Sequence, residues 1–302
     1  MTDGAERFEV PVEGGGLAVW RWGGDGPVAI AAHGITSSHT AWDVVGELVA
    51  DDLTLVVPDL RGRGDSADVS GSSSMRRHAS DLLAVLDHID VDEAVVTGHS
   101  MGAMVAAALA AASPDRARAV VMVDGGPPLA GPVPPDVDVD AVLSRAIGPA
   151  LERLQQRFDS RDEYRRFWRE HPAFRDSRVD PARIDAYADH DLRGQPGDLR
   201  SKVSADRVRE DGRDSLTNAD LHDVVSALEM PAVLLVAERG MLNGATPLIT
   251  DEQAAELQTA RGPLEVIRVP DTNHYTIMLD DRGARAVAHQ LRRFATADLG
   301  DA

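Results

Sequence analysis

The stretch Asp92–Ala112, DEAVVTGHSMGAMVAAALAAA, decides the fold. Its first third is a short β-branched run that reads as a buried strand, and its last twelve residues, Met101–Ala112, are rich in Ala, Met and Leu and read as a helix. Between them Gly98-His99-Ser100-Met101-Gly102 fits the pattern G-x-S-x-G. Strand, sharp turn and helix form the setting in which a serine is held on a strained corner with its hydroxyl exposed at the edge of a sheet. Small neighbours are needed there because the backbone turns tightly and packs closely. The same corner puts the Met101 N–H at a helix start, where it can donate to a developing oxyanion with the helix dipole behind it.

Outward from this segment, β-branched runs alternate with longer Ala- and Leu-rich stretches, as in a parallel sheet flanked by helices. Strands are expected at Val28–Ala32, Leu53–Val57, Ala94–Thr97, Ala119–Val123, Val233–Ala237 and Leu264–Val269, several without alternation, as befits strands covered on both faces. Helices are expected at Trp42–Ala50, Met75–Ile89, Met101–Ala112, Asp251–Ala260 and Gly283–Phe294. The rhythm breaks between Gly125 and Met230. There GGPPLAGPVPPD leads into charged segments carrying Phe158, Tyr164, Phe167, Trp168, Phe174 and Tyr187. This predicts an α/β core over residues 1–128 and 231–302, interrupted by a helical insertion, a lid, over 129–230.

The chain has 302 residues and a formal charge of −19, which repels nucleic acid and anionic membranes. It has no cysteine, so disulfides, thiol catalysis and cysteine-bound metals are excluded. Met1–Val10 lacks a basic run followed by an apolar stretch, and Gly102–Ala112 is far too short to span a bilayer, so the chain reads as cytoplasmic.

With these features the chain resembles the α/β-hydrolase family. Two further segments carry the resemblance. His33-Gly34, closing the strand VAIAA, looks like the family's oxyanion loop, which makes the Ile35 N–H the second donor and sets Gly34 and His99 beside the substrate. Asp59-Leu60-Arg61-Gly62-Arg63-Gly64-Asp65-Ser66 looks like the family's D-x-x-G-x-G-x-S turn, which implies structural rather than chemical roles for Asp59 and Ser66. Serine needs a base poised near neutrality, and imidazole is the natural one. The family places it after the last strand, where His274 stands in VPDTNHYTIML; His289 lies within a helical pattern and reads as surface.

The carboxylate that should orient His274 is harder to find. The family's usual position follows the strand after the insertion, and here it aligns with Gly240 in Ala237-Glu238-Arg239-Gly240. Two substitutes remain open. Asp124 ends the strand VVMVDGG, at the strand edge where catalytic groups gather in α/β sheets, and is preferred; Glu238 is the alternative.

A serine at this position argues against dehalogenase and epoxide-hydrolase chemistry, which use an aspartate there in this family. The resemblance therefore implies a serine hydrolase of carboxylic esters that needs no cofactor or metal and takes a small-molecule substrate. A medium-sized apolar or aromatic ester or lactone is expected, with a macrocyclic lactone of the zearalenone type as the specific case. The aromatic residues of the insertion are equally the makings of its own core. A carbon–carbon bond hydrolase and a ligand-binding protein that keeps the triad are the competing readings, and a homodimer is left open.

Overall fold

A computed structural model describes residues 4–127, 137–261 and 264–297. The first half of the chain supplies strands β1 (Glu6–Val12), β2 (Gly15–Trp22), β3 (Val28–Ala32), β4 (Thr54–Pro58), β5 (Ala94–His99) and β6 (Ala117–Val123), with helices α1 (Asp43–Val49), α2 (Met75–His88) and α3 (Met101–Ala112). Next come α4 (Val139–Gln155), α5 (Arg161–Arg169), α6 (Pro181–Asp191), a ribbon of β7 (Leu192–Arg193) and β8 (Arg200–Ser201), and α7 (Ala205–Thr217). The chain then returns to the sheet with β9 (Ala232–Arg239), α8 (Asp251–Arg261), β10 (Glu265–Asn273), α9 (Thr276–Leu279) and α10 (Asp281–Thr296).

Eight strands form one sheet in the order β1-β2-β4-β3-β5-β6-β9-β10. The first two pairings, β1 with β2 and β2 with β4, are antiparallel, and the rest are parallel. This is the mostly parallel, helix-flanked sheet expected from the sequence. Alternate residues of each strand face opposite layers. Ala29, Leu55, Val95, Val121 and Leu235 pack toward α1 and α10, whereas Ile30, Val56, Val96, Val120 and Leu234 pack toward α2 and α3.

Strands β1 and β2 were not anticipated. β1 is an edge strand whose residues are mostly exposed, so it lacks the apolar run by which the buried strands are recognised. The β3 to β6 strands were expected within a few residues of where they lie.

The 128/129 boundary lies outside the described residues. Of the segment beyond it, α5 and α6 carry the aromatic residues into the sheet's own core on the α1 and α10 side. By contrast, α4 and α7 meet in a small separate cluster of Val139, Leu143, Ile147, Val203, Val208 and Leu216. Among the described residues no helix is long and apolar enough to cross a membrane.

The sheet order also locates a crevice. The chain leaves β3 toward β4 on one side and resumes at β5 on the other, so the loops after β3 and β5 diverge at adjacent strand ends, where Ala32 pairs with Gly98. In open α/β sheets such a reversal point is where ligands bind.

Candidate active site

Ser100 follows β5 with φ 58° and ψ −124°, outside the regions that a serine ordinarily occupies. Such a conformation costs of order 1–3 kcal/mol and persists only where the surroundings impose it. Here the Ser100 N–H donates to Val123 O at 2.9 Å. A side chain at Gly98 would run into Gly102 O at 1.9 Å, and one at Gly102 into Ala32 O at 2.1 Å, so both glycines are required by close backbone approach.

The loop after β10 brings His274 to this corner. Its Nε2 lies 3.0 Å from Ser100 Oγ, and its Nδ1 lies 2.6 Å from Asp124 Oδ2. Asp124 is fully buried, and its other oxygen accepts the Ala237 N–H at 3.0 Å. Glu238 lies elsewhere: it is exposed and accepts the Asp271 N–H at 2.7 Å. Gly240 begins a tight turn, with its N–H bonded to Gly244 O, and a side chain there would meet Thr246 O at 2.5 Å. The position at which the sequence resemblance places an acid is thus built as a turn without one. His289 is exposed on α10.

The backbone of His274 is held from both sides. Asn273 Oδ1 accepts the N–H groups of Tyr275 and Thr276, each at 3.0 Å. His99 donates its Nε2–H to His274 O at 2.8 Å. Burial, reinforced by the neighbouring His274, pushes the His99 imidazole well below its ordinary pKa, so it stays neutral. Its Nδ1 is then an acceptor, enclosed and without a partner among the described residues, in a ring that lines a small cavity with Ser100 and Gly34.

The donor side is also ordered. His33 is buried, and its Nε2 accepts the Leu60 N–H at 2.9 Å, so the proton sits on Nδ1 and is donated to Gly34 O at 2.9 Å. Burial lowers the pKa of His33 to about 3. The Gly34 carbonyl and the Ile35 N–H share one planar trans peptide, so holding the carbonyl directs the N–H to the opposite side. Among the described residues the Ile35 N–H meets no acceptor, and the Met101 N–H, first in α3, has none within its helix. The sequence names Ile35 and Met101 as donors but gives no role to His33, which holds the carbonyl of the peptide that carries the Ile35 N–H.

Ser100 stands between two cavities of unequal size. The smaller, about 30 Å³, is lined by Gly34, Thr36, His99, Tyr187, His274 and Tyr275 among others. The larger, about 380 Å³, is apolar and runs between α3 and the α4–α7 cluster, past Met104, Leu143, Ile147, Leu216, Met241 and Leu248. Among the described residues no aromatic side chain lines it. Of the insertion's aromatic side chains, Tyr187 reaches the smaller cavity, while Trp168, edge-on to Tyr164 and Tyr187, packs with them in the core.

Among the described residues one group has the composition of a metal site: His39, Asp59 and His190. Its separations, 2.9 Å from His39 Nδ1 to Asp59 Oδ1 and 2.7 Å from His190 Nε2 to Asp59 Oδ2, are those of hydrogen bonds. Nitrogen and oxygen ligands around a tetrahedral zinc stand about 3.3 Å apart. Asp59 also accepts the N–H groups of His39 and Asp65, so its oxygens are fully used. Burial alone would raise its pKa, but His39 and His190 outweigh that and hold it well below the usual range. The cluster ties α6 to the end of β4.

Comparison with known proteins agrees with this architecture. The chain is similar to N-formylmaleamate deformylase of Pseudomonas putida, 26% identical over 84% of each chain. It is also similar to the lipase LipV of Mycobacterium tuberculosis, 34% identical over 46% of this chain and 54% of that one. It spans only 31% of the length of some curated mycobacterial relatives. Among solved structures, E-2-(acetamidomethylene)succinate hydrolase superposes with a TM-score of 0.76 at 22% identity, covering 97% of this chain and all of that one. The sequence profile of the alpha/beta hydrolase family matches residues 29–290, and the chain belongs to that family.

Proposed function

We propose that the protein hydrolyses carboxylic esters through an acyl-enzyme on Ser100. The observation that carries this is the unbroken contact chain from Ser100 Oγ through the His274 ring to the buried Asp124, at a serine held in a strained conformation. Ser100 Oγ attacks the ester carbonyl while His274 Nε2 takes its proton. Asp124 keeps the ring in the tautomer that receives that proton and stabilises the imidazolium. The N–H groups of Ile35 and Met101 hold the oxyanion, aided by the positive end of α3. His274 then gives the proton to the departing alcohol, and a water activated by the same ring releases the acid.

The apolar cavity of about 380 Å³ supports a medium-sized acyl group; the lining favours aliphatic over aromatic bodies. A macrolactone remains within this class. Amide cleavage is the second reading, supported by the name of the deformylase relative and by Arg145. Arg145 is the charged residue of the cavity lining and has no ion-pair partner among the described residues, so it suits a substrate carboxylate.

The test is turnover of a panel of p-nitrophenyl esters, lactones and N-acyl amides by wild type and three variants. Ser100→Ala abolishes turnover and fluorophosphonate labelling. Asp124→Asn lowers kcat by about 10⁴, as loss of the orienting acid does elsewhere, whereas Glu238→Gln leaves it unchanged. Retention of wild-type kcat by Asp124→Asn would refute the assignment.

A further inference from the structure

The loop that offers the Ile35 N–H is gripped by two buried arginines. Arg63, wholly buried, donates through Nε to Ile35 O at 3.0 Å and through Nη1 to Arg61 O at 2.9 Å. Its Nη2 forms an ion pair at 2.6 Å with Asp211 on α7, which is as deeply buried. Arg153 of α4, 2% exposed, donates to Thr36 O at 3.2 Å. It also contacts Asp191 and Tyr164 Oη, both at 2.5 Å, and lies over the Trp168 ring. Consecutive carbonyls of one short loop are therefore each held by a guanidinium. Each guanidinium is paired in turn with an aspartate from the segment between β6 and β9.

Burying a charge is costly unless it is fully paired, and an apolar filling often stabilises a fold as well or better. Two such pairs converging on one loop are therefore poor value as cement. What they provide is orientation. With Gly34 O already fixed by His33, holding Ile35 O fixes the next peptide plane too, and both dihedral angles of Ile35 are set. His33 thus directs the Ile35 N–H through Gly34 O, and the two guanidinium contacts hold the next two peptide planes so that the loop carrying that N–H does not turn away.

We infer that Arg63 and Arg153 are positioning residues for the oxyanion donor, and that Asp211 and Asp191 make that donor depend on α6 and α7 being seated. This rests on the acyl-enzyme reading above. A guanidinium suits the task because its rigid fork serves several acceptors at once; a lysine ammonium is a point charge on a flexible stem. Neither Arg63 nor Arg153 lines the apolar cavity, so replacing either guanidinium by a lysine falls on the chemical step rather than on substrate capture.

The experiment compares wild type with Arg63→Lys, Arg153→Lys, Asp211→Asn and Asp191→Asn. The two Asn variants keep shape and one acceptor should a lysine variant fail to fold. For the best ester, kcat falls roughly 10- to 100-fold, less than the 10²–10³ for outright loss of an oxyanion donor, while KM stays within about threefold. The Ki of a matched trifluoromethyl ketone, which binds as a hemiketal oxyanion, rises by the same factor as kcat/KM falls. The Kd of the corresponding methyl ketone does not move. Folded variants with wild-type kcat, or with reduced kcat but unchanged trifluoromethyl ketone Ki, overturn the inference and leave the acyl-enzyme reading standing. A wild type that neither turns over nor labels at Ser100 sinks both.

Discussion

The two halves of the segment between β6 and β9 are fastened to the sheet in different ways. Helices α5 and α6 deliver Tyr164, Trp168, Ile184, Tyr187 and Ala188 into the same core as the β-strands, with no boundary between the packing of the two. Helices α4 and α7 share only a six-residue cluster of their own, and the space beside it is the apolar cavity. The first half shares the sheet's apolar core, whereas the second is tied to the body by buried polar contacts, Arg63 to Asp211 and Arg153 to Thr36 O, beside the apolar cavity. On the proposed reading, the difference gives anchoring to α5–α6 and leaves α4–α7 to shape the cavity that takes the substrate.

The hardest blow to this contrast would come from Trp168→Ala. Truncating a buried Trp costs ~3–5 kcal/mol, so denaturant unfolding should show a loss of that size. The ratio of kcat/KM values for long and short acyl esters should hold. A stable variant with altered chain-length preference would reverse the roles.

Acid probes the same anchored side. Burial keeps His33, His39 and His99 neutral in the folded state, below their ordinary pKa. Once unfolded they protonate near pH 6.5. The unfolded chain then binds more protons, so stability falls as pH drops through that value. Asp43 works the other way, because burial holds its carboxyl up to about 8 and it releases a proton on unfolding. The full net uptake, about two protons (three rings less Asp43), is approached only near pH 5.5, and averaged from pH 7 to 5.5 it is nearer one proton, or ~1 kcal/mol per pH unit. Tm measured from pH 7 to 5.5 should fall accordingly. A flat profile would mean that these rings are not buried neutral.

Leu143→Ala, in the half beside the apolar cavity, should have the opposite signature to Trp168→Ala. It enlarges the cavity, so the preference for longer acyl chains should rise by about tenfold, the scale set by one or two methylenes in an apolar pocket. Its stability loss should sit near the low end of ~2–5 kcal/mol, since the site faces open space. Smallest of all is Arg145→Gln. KM for substrates with a free carboxylate should rise roughly threefold to tenfold, on the scale of one exposed ion pair. Neutral esters and Tm should be indifferent, and an equal change for both substrate types would remove Arg145 from recognition.

What the sequence revealed and what it concealed follow a physical line. β5, the serine turn and α3 were legible because local chemistry decides them: a β-branched run, two obligatory glycines and an Ala-rich helix. Ser100, His274 and Asp124 are named by the sequence and brought into contact by the structure, though the choice between Asp124 and Glu238 needed the third dimension. Only there does Glu238 turn out to serve the Asp271 amide. Arg63 and Arg153 carried no signal. An arginine in a turn or on an amphipathic helix looks like solvated surface, and only tertiary structure buries it against Ile35 O and Thr36 O. The cavity was equally hidden, because aromatic content drew attention to residues that turned out to fill the core.

The tight turn at Gly240 has a consequence for how this protein can change over evolutionary time. In the proposed arrangement the nucleophile and the acid stand at the ends of neighbouring strands, joined by the Ser100 N–H to Val123 O bond. The loop after β9 is thereby released from chemistry, and Met241 and Leu248 within or beyond it line the apolar cavity. Insertions or replacements there can remodel the substrate range without disturbing the reacting groups. Asn243 in that loop accepts from Asn273 Nδ2 at 3.4 Å, so the positions open to such change are those on its cavity side.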